Sequence, residues 1–170
     1  MRTDFTVLVL MGVSGSGKTT VARILATRLG WQLEEGDALH PRSSIEKMRA
    51  GHPLTDADRK QWLERIAAWV ERRLETGQNG IITCSALKRS YREVINRRGS
   101  GVVFVFLSGA KTTIAQRLAV RHGHFMPPSL LDSQLADLEV PEPDEPTIRF
   151  DITGSPEAIA ERIIDELGLD

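Results

Sequence analysis

The sequence predicts a three-layer α/β fold with a single five-stranded parallel sheet. Short apolar runs of strand length alternate with longer segments of helical periodicity along the whole chain. A glycine-rich loop, residues 12–19, joins the first of these runs to the first helical segment. Such a sheet has right-handed crossovers, and because its parallel strands all point the same way, the loops that follow them should converge at one edge.

Five segments are predicted to be strands, namely residues 5–11, 31–35, 81–84, 102–107 and 148–152. The first is apolar except for Thr6, as in a strand that is buried on both faces. The fourth contains five consecutive Val or Phe residues before Leu107, which predicts a central position in the sheet. The second ends at Gly36 and Asp37, so an acidic residue follows a strand end.

Apolar residues at helical spacing predict the remaining elements. Helices are expected after the glycine-rich loop, at residues 43–50, 56–76, 112–121 and 130–139, around Tyr91 as far as Gly99, and from Pro156 onward. The Trp residues of the long helix at 56–76 are interpreted as core side chains. Residues 122–129 contain two His, one Gly and two Pro, which predicts a mobile lid at about 121–132.

Length and composition limit the function classes. With 170 residues and 41% hydrophobic content, a single domain covering residues 1–170 is expected. The net charge of -1 and the pI near 6.4 argue against nucleic acid and membrane as partners. Cys84 is the sole cysteine, which excludes an intramolecular disulfide and a cysteine-built zinc site. Neither a signal peptide nor a membrane-length apolar run is evident, so a soluble cytoplasmic protein is expected.

Residues 12–19 match the phosphate-binding loop G-x-x-x-x-G-K-[S/T] without a mismatch. Its glycines can adopt backbone angles closed to other residues, so successive N–H groups can turn toward a phosphate chain. Lys18 would then neutralise the β- and γ-phosphates, and the Thr19 hydroxyl would ligate Mg²⁺. A glycine-rich turn without a ligand is disfavoured, because the flanking strand and helix match as well.

The loop alone is compatible with a GTPase switch, an ATPase or a small-molecule kinase. Residues 151–154 fit D-x-x-G and residues 85–87 resemble a base-contacting loop, but their order is wrong for a GTPase and no Asn-Lys-x-Asp motif is present. A kinase of the nucleoside-monophosphate type predicts an inserted acceptor region, here about 37–60, and a basic lid. Arg117 and Arg121, at i and i+4 beside that lid, could neutralise the transferring phosphoryl group; the alternative is a solvated basic helix face.

Several further motifs follow in chain order. They are Gly36-Asp37-Ala38-Leu39-His40-Pro41, Glu46-Lys47-Met48, Cys84-Ser85-Ala86-Leu87-Lys88, Gly123-His124-Phe125-Met126 and Leu131-Asp132-Ser133-Gln134. With these segments the chain resembles the gluconate kinases, a family of small P-loop kinases. The resemblance implies a P-loop kinase fold and ATP-dependent, Mg²⁺-assisted phosphorylation of D-gluconate on its 6-hydroxyl, giving 6-phosphogluconate and ADP. It also implies a cytoplasmic enzyme that could be a homodimer. Ser44 stands where the family usually has Asn.

Two rival functions stay open at this point. One is a P-loop kinase for shikimate, a nucleotide or another sugar acid, and the other is a nucleotide-binding switch or regulatory ATPase. The expected nucleotide contacts are Gly12, Val13, Ser14, Gly15, Ser16, Gly17, Lys18, Thr19, Thr20, Arg117 and Arg121, with adenine held near Gly154 and Pro156. Lys18, Asp37 and Arg121 are the expected catalytic residues.

The acceptor side is less specific. Asp37 is either the base that receives the hydroxyl proton or a Mg²⁺ partner through water, and the sequence favours neither. By resemblance and placement, the residues expected to bind the carboxylate and hydroxyls of the acceptor are Asp37, His40, Arg59, Lys88 and Arg92. Taken alone, any one of the basic residues among them could equally be a surface charge. Cys84 is interpreted as a packing residue.

Overall fold

A computed structural model describes residues 5–119 and 131–169, so Arg121 and most of the predicted lid at 121–132 lie outside the described residues. The strands are β1 (Val7–Met11), β2 (Gln32–Glu35), β3 (Gly80–Thr83), β4 (Val102–Ser108) and β5 (Thr147–Asp151). The helices are α1 (Lys18–Leu29), α2 (Arg42–Arg49), α3 (Asp56–Glu75), α4 (Arg89–Ile95), α5 (Lys111–Ala119), α6 (Leu131–Asp137) and α7 (Pro156–Leu167), and a 3₁₀ turn covers Gly36–Leu39. The predicted fold class is confirmed, and the predicted strand bounds agree to within two residues.

The five strands form one sheet in the order β2-β3-β1-β4-β5, and every pairing is parallel. The middle strand is β1, which pairs with β3 on one side and β4 on the other. The apolar run of 102–107 was expected at the centre, but β4 lies one position away, between β1 and β5. An apolar run predicts burial on both faces, and an interior strand meets that condition without being the middle one.

The residues of β1 divide the core between the two faces of the sheet. Leu8 and Leu10 pack with α1, α5 and α7, whereas Val7, Val9 and Met11 pack with α3 and α4. All five side chains are completely buried. The sheet is therefore the middle of three layers, and it holds the carboxyl end of β1 at the centre of one edge. No helix within the described ranges is long and apolar enough to cross a membrane.

The loops after the strands meet at that edge, as predicted. The N–H of Gly12 donates to the carbonyl oxygen of Ser85 at 3.3 Å, which joins the loop after β1 to the loop after β3. Gly36 lies against β3 so closely that a Cβ there would be 2.1 Å from the Thr83 carbonyl oxygen. These contacts bring the glycine-rich loop, the 3₁₀ turn and residues 84–88 together.

The segment predicted to be the acceptor region, about 37–60, is tied together at the start of α3. Thr55 caps this helix, because its hydroxyl accepts from the Asp58 N–H at 3.2 Å and its own N–H donates to Asp58 at 2.8 Å. Asp58 also accepts from Lys47 of α2 at 2.6 Å. This hydrogen bond, together with the one from Thr55, lowers the pKa of Asp58 to about 2. Asp58 thus takes part in the cap of α3 and also fixes α2 against α3.

Candidate active site

The loop between β1 and α1 has the backbone of a phosphate cradle. Gly12, Gly15 and Gly17 have φ angles of 145°, 87° and 95°, which residues other than glycine rarely adopt. A Cβ at Gly12 would also lie 2.7 Å from the Leu107 carbonyl oxygen. Helix α1 begins directly after Gly17, so the positive end of its dipole points into the loop. Lys18 is the first residue of this helix.

Side chains of the loop supply polar groups at the same place. Lys18 Nζ donates to the carbonyl oxygens of Gly12 at 2.8 Å and Val13 at 3.2 Å, so the ammonium group lies over the mouth of the loop. The hydroxyls of Ser14 and Ser16 are buried, and neither has a hydrogen-bond partner among the residues that the structure describes. Buried polar groups of this kind are usually paired, so these hydroxyls fit a site for ligand oxygens.

A cavity of about 320 Å³ opens on one side of the loop. Its walls are Gly15, Ser16, Gly17, Thr20, Val21, Arg117, Pro156 and Ile159. Arg117 is held there by a hydrogen bond of 3.2 Å from Nη2 to the Ile152 carbonyl oxygen. The cavity combines the apolar surface of Val21 and Ile159 with the basic side chain of Arg117, beside the predicted phosphate cradle.

A second cleft lies on the opposite side of the loop, toward α2 and α3. It is lined by Ser14, Lys18, Asp37, His40, Met48, Leu54, Arg59, Trp62, Ser85 and Gln134. The structure thus brings together Lys18, Asp37, His40 and Arg59, which the sequence had placed in one site. The free volume of this cleft is about 20 Å³, room for about one water molecule, so a larger ligand requires side chains to move.

His40 is buried in this cleft, where its ring stacks on Trp62 with a centroid separation of 4.1 Å. Burial lowers the pKa of His40 to about 4; nearby Asp37 opposes this shift and Arg59 reinforces it. The imidazole is therefore neutral at pH 7, and its Nδ1 has no hydrogen-bond partner in the described part of the chain. Asp37 Oδ1 lies 3.9 Å from His40 Nε2. A neutral ring beside a carboxylate can bind hydroxyl groups without adding charge.

Arg59 adds a second positive charge to the cleft, beside that of Lys18. Its side chain is only 10% exposed, and Nη1 donates to the Tyr91 hydroxyl at 2.8 Å. The same nitrogen lies 3.4 Å from Asp137 Oδ2. Tyr91 in turn donates to Asp56, which also accepts from Lys88 at 3.0 Å. Arg59 is thus held in place before any ligand binds.

Few groups here could hold a metal without help from a ligand. No cluster of three or more His, Cys, Asp or Glu residues is found within residues 5–119 and 131–169. Mg²⁺ commonly keeps several waters and binds substrate phosphates with only one or two protein oxygens. Thr19, the second residue of α1, offers a hydroxyl, and Asp37 offers a carboxylate to the cleft.

Comparison with known proteins shows which family the chain belongs to. Residues 7–141 match a protein family described as an AAA domain. Over 157 residues the chain is 53% identical to the gluconokinase of Gluconobacter oxydans, covering 92% of this chain and 88% of that protein. The chain belongs to the gluconokinase family.

Two solved structures agree with this family assignment. An unliganded sugar kinase from Janibacter is 46% identical, with a TM-score of 0.90 over 97% of this chain and 95% of the other. A gluconokinase from Sinorhizobium meliloti is 41% identical, with a TM-score of 0.80 over 99% of this chain and 98% of that one. The similarity covers the elements that form both cavities.

In this member of the gluconokinase family, two predicted acceptor residues lie outside the cleft. Arg92 is 2% exposed, and its guanidinium binds Glu145 at 2.6 Å and the carbonyl oxygens of Ala86, Leu87 and Glu139. Its donors hold backbone and Glu145, so these contacts do not support the expectation that Arg92 binds substrate, which stays a prediction. Ala86 has a φ of 46°, an uncommon angle for a residue other than glycine, so Arg92 stabilises a strained loop.

Lys88 also does not line the cleft, because its ammonium group binds Asp56 at the rim of the Tyr91 network. Among the expected cations, Arg59 is thus the one that the described structure places beside Asp37 and Lys18. Cys84 is fully buried, and burial raises the pKa of its thiol to about 12, which suits the packing role expected from the sequence.

Sequence reasoning missed five of the residues that line the cleft, namely Met48, Leu54, Trp62, Ser85 and Gln134, and two of them make hydrogen bonds at the site. Trp62 is a core residue as predicted, but it also forms a wall of the cleft and donates from Nε1 to the Gly36 carbonyl oxygen at 2.7 Å. Gln134 lines the cleft and accepts a hydrogen bond from the Ser14 N–H at 2.6 Å. The only sequence signal for Gln134 was its place in a family-like motif, because a contact across 120 residues has no local pattern.

Proposed function

We propose that this protein is a gluconokinase that transfers the γ-phosphoryl group of ATP to the 6-hydroxyl of D-gluconate, giving 6-phosphogluconate and ADP. The membership in the gluconokinase family supports this reaction. The observation that carries it is a single cleft that holds Lys18 of the phosphate loop together with Asp37, His40 and Arg59. A phosphate donor and a polar acceptor can meet there.

The nucleotide is assigned to the loop and the cavity of about 320 Å³. Its phosphates would accept from the loop N–H groups, and its base would enter between Thr20 and Pro156. Lys18 would leave the Gly12 and Val13 carbonyl oxygens for the β- and γ-phosphates, a short movement of a flexible side chain. Binding and charge neutralisation at this side thus need few rearrangements.

Thr19 is the residue proposed to hold Mg²⁺, and Asp37 could support it through water. When bound, the ion neutralises charge on the phosphate oxygens during transfer. Arg117 lines the nucleotide cavity and could stabilise the same charge, together with Arg121 as expected from their spacing. These assignments follow from oxygen donors and positive charge at the loop.

Gluconate recognition is assigned to the opposite cleft. A carboxylate binds best to a preorganised guanidinium, and Arg59 is fixed by Tyr91 for that purpose. Neutral His40 would bind one of the hydroxyls through its unpartnered Nδ1. Asp37 would receive the proton of the attacking hydroxyl or orient the metal water, and both roles need its carboxylate at this position.

A coupled assay for ADP release tests the reaction. With Mg-ATP we expect rapid ADP formation with gluconate and only slow formation with shikimate, nucleoside monophosphates or other sugar acids. Slow hydrolysis that is equal with every acceptor would instead indicate a nucleotide-binding switch. Rapid turnover with another acceptor would keep the kinase class but refute the substrate.

The setting of the reaction is also proposed. We expect a cytoplasmic enzyme without nucleic-acid or membrane partners, which agrees with the nearly balanced charge of the chain. A homodimer is expected from the family resemblance. Light scattering on the purified protein distinguishes a dimer from a monomer of 18.9 kDa.

A further inference from the structure

The side chain of Gln134 joins helix α6 to the phosphate loop. The Oε1 atom of Gln134 accepts from the Ser14 N–H at 2.6 Å, and both residues are 6% exposed. The bond joins parts of the chain that lie 120 residues apart. A short, buried hydrogen bond to a loop amide fixes the direction of that amide, so Gln134 influences the shape of the cradle.

The same helix contacts the acceptor side one turn later. Asp137 follows Gln134 at i+3, so both side chains lie on one face of α6. The Oδ2 atom of Asp137 lies 3.4 Å from Arg59 Nη1, the guanidinium assigned to the gluconate carboxylate. A protein carboxylate therefore occupies Arg59 where the substrate carboxylate is expected.

The helix is anchored elsewhere by contacts that neither ligand touches. Leu131 is 5% exposed in the core, and the Glu139 N–H donates to the Leu87 carbonyl oxygen at 2.7 Å. Lys111 of α5 binds Asp132 at 2.6 Å. These contacts keep α6 in the structure when the bonds of Gln134 and Asp137 change.

We propose that Gln134 and Asp137 are positioning residues that couple the nucleotide and acceptor sites through α6. This inference rests on the proposed function. A bond to Ser14 and a bond to Arg59 hold the same face of α6. Gluconate replaces Asp137 at Arg59, and a phosphate oxygen replaces Gln134 as the acceptor of the Ser14 N–H. Because α6 is short, loosening one bond lowers the cost of loosening the other, so each substrate favours binding of the other.

The coupling is measured as the ratio of gluconate dissociation constants without and with a non-hydrolysable Mg-ATP analogue, by calorimetry. We expect a ratio of at least about 5 for the wild-type protein. For Gln134→Met, which keeps side-chain length but removes the acceptor, the ratio should fall toward 1. Asp137→Asn should reduce it as well, and this variant serves if Gln134→Met does not fold.

Two controls separate coupling from simple packing. Gln134→Glu restores an acceptor oxygen for the Ser14 N–H, so the ratio should stay above that of Gln134→Met even if nucleotide affinity falls. Ala136→Ser, an exposed change on the same helix, should keep the wild-type ratio. A wild-type ratio of 1, or an unchanged ratio in folded Gln134→Met and Asp137→Asn, would overturn the proposal. Absence of gluconate binding to the wild-type protein would instead refute the proposed function.

Discussion

The two sides of the active site are built differently. The nucleotide side is dominated by one continuous loop whose backbone angles and helix terminus form the binding surface. The acceptor side is assembled from the 3₁₀ turn, α2, α3, the loop after β3 and α6, and side chains from distant parts of the sequence make its contacts. One side is thus specified locally and the other by distant partners. This difference implies that substitutions should act on chemistry at the loop and on acceptor affinity or stability across the cleft.

The largest effect is expected for Lys18→Ala. Loss of the ammonium group should lower turnover by about 10³-fold or more, because it removes charge stabilisation at the transferred phosphate. The fold should survive, since Lys18 is only partly buried and outside the core. Steady-state ADP release and thermal unfolding measure both quantities. Lys60→Ala, at an exposed position, is the matched control. Near-normal turnover in Lys18→Ala would show that Lys18 of the phosphate loop is not needed for the reaction.

Asp37→Asn lies on the border between the two sides. We expect turnover to fall by about 10²- to 10⁴-fold, as for loss of a general base, while nucleotide affinity changes much less. Comparing kcat with the directly measured dissociation constant of the ATP analogue checks this. A larger loss in nucleotide affinity than in kcat would favour the metal-shell role and reject the base role.

On the acceptor side, Arg59→Met and Lys88→Met form a matched pair of lost cations. Arg59→Met should raise the KM for gluconate about 10- to 100-fold, since a charged hydrogen bond contributes roughly 1.5–3 kcal/mol. Lys88→Met should raise it less than about 5-fold, because Lys88 binds Asp56 outside the cleft. Initial rates at varied gluconate measure both. Equal effects of the two variants would contradict the assignment of the carboxylate to Arg59.

The last expected effect is on stability against pH and not on turnover. The pKa of His40 is about 4 in the folded protein and 6.5 when unperturbed, so the unfolded chain binds an extra proton between these values. Stability should therefore be full above pH 6.5 and fall as the pH drops to about 4, by about 3 kcal/mol from this group. The free energy of unfolding can be measured with urea at several pH values for the wild type and for His40→Asn. Plotted against pH, the two sets of values should differ in slope between pH 4 and pH 6.5. Parallel curves would mean that His40 is not held neutral by burial.

The same contrast explains what the sequence predicted. The β1 apolar run, the glycines at 12, 15 and 17 and the apolar periodicity of α1 are local patterns, so the sheet, the loop and the helix that follows were all predictable. The burial of Arg92 was not, because its partners Glu139 and Glu145 come from a segment about 50 residues later. In the sequence, a basic residue that follows a strand end looks the same whether its side chain binds substrate or backbone. Likewise, Trp62 fits a core pattern although it also walls the cleft.

Identification of the product tests the central claim most directly. After incubation with Mg-ATP and gluconate, the ³¹P NMR spectrum should contain a new phosphomonoester signal that couples to two protons, as for a phosphate on the primary 6-hydroxyl. Its formation should be lost in Lys18→Ala. A spectrum with only inorganic phosphate, or a phosphomonoester coupled to a single proton, would contradict transfer to that hydroxyl.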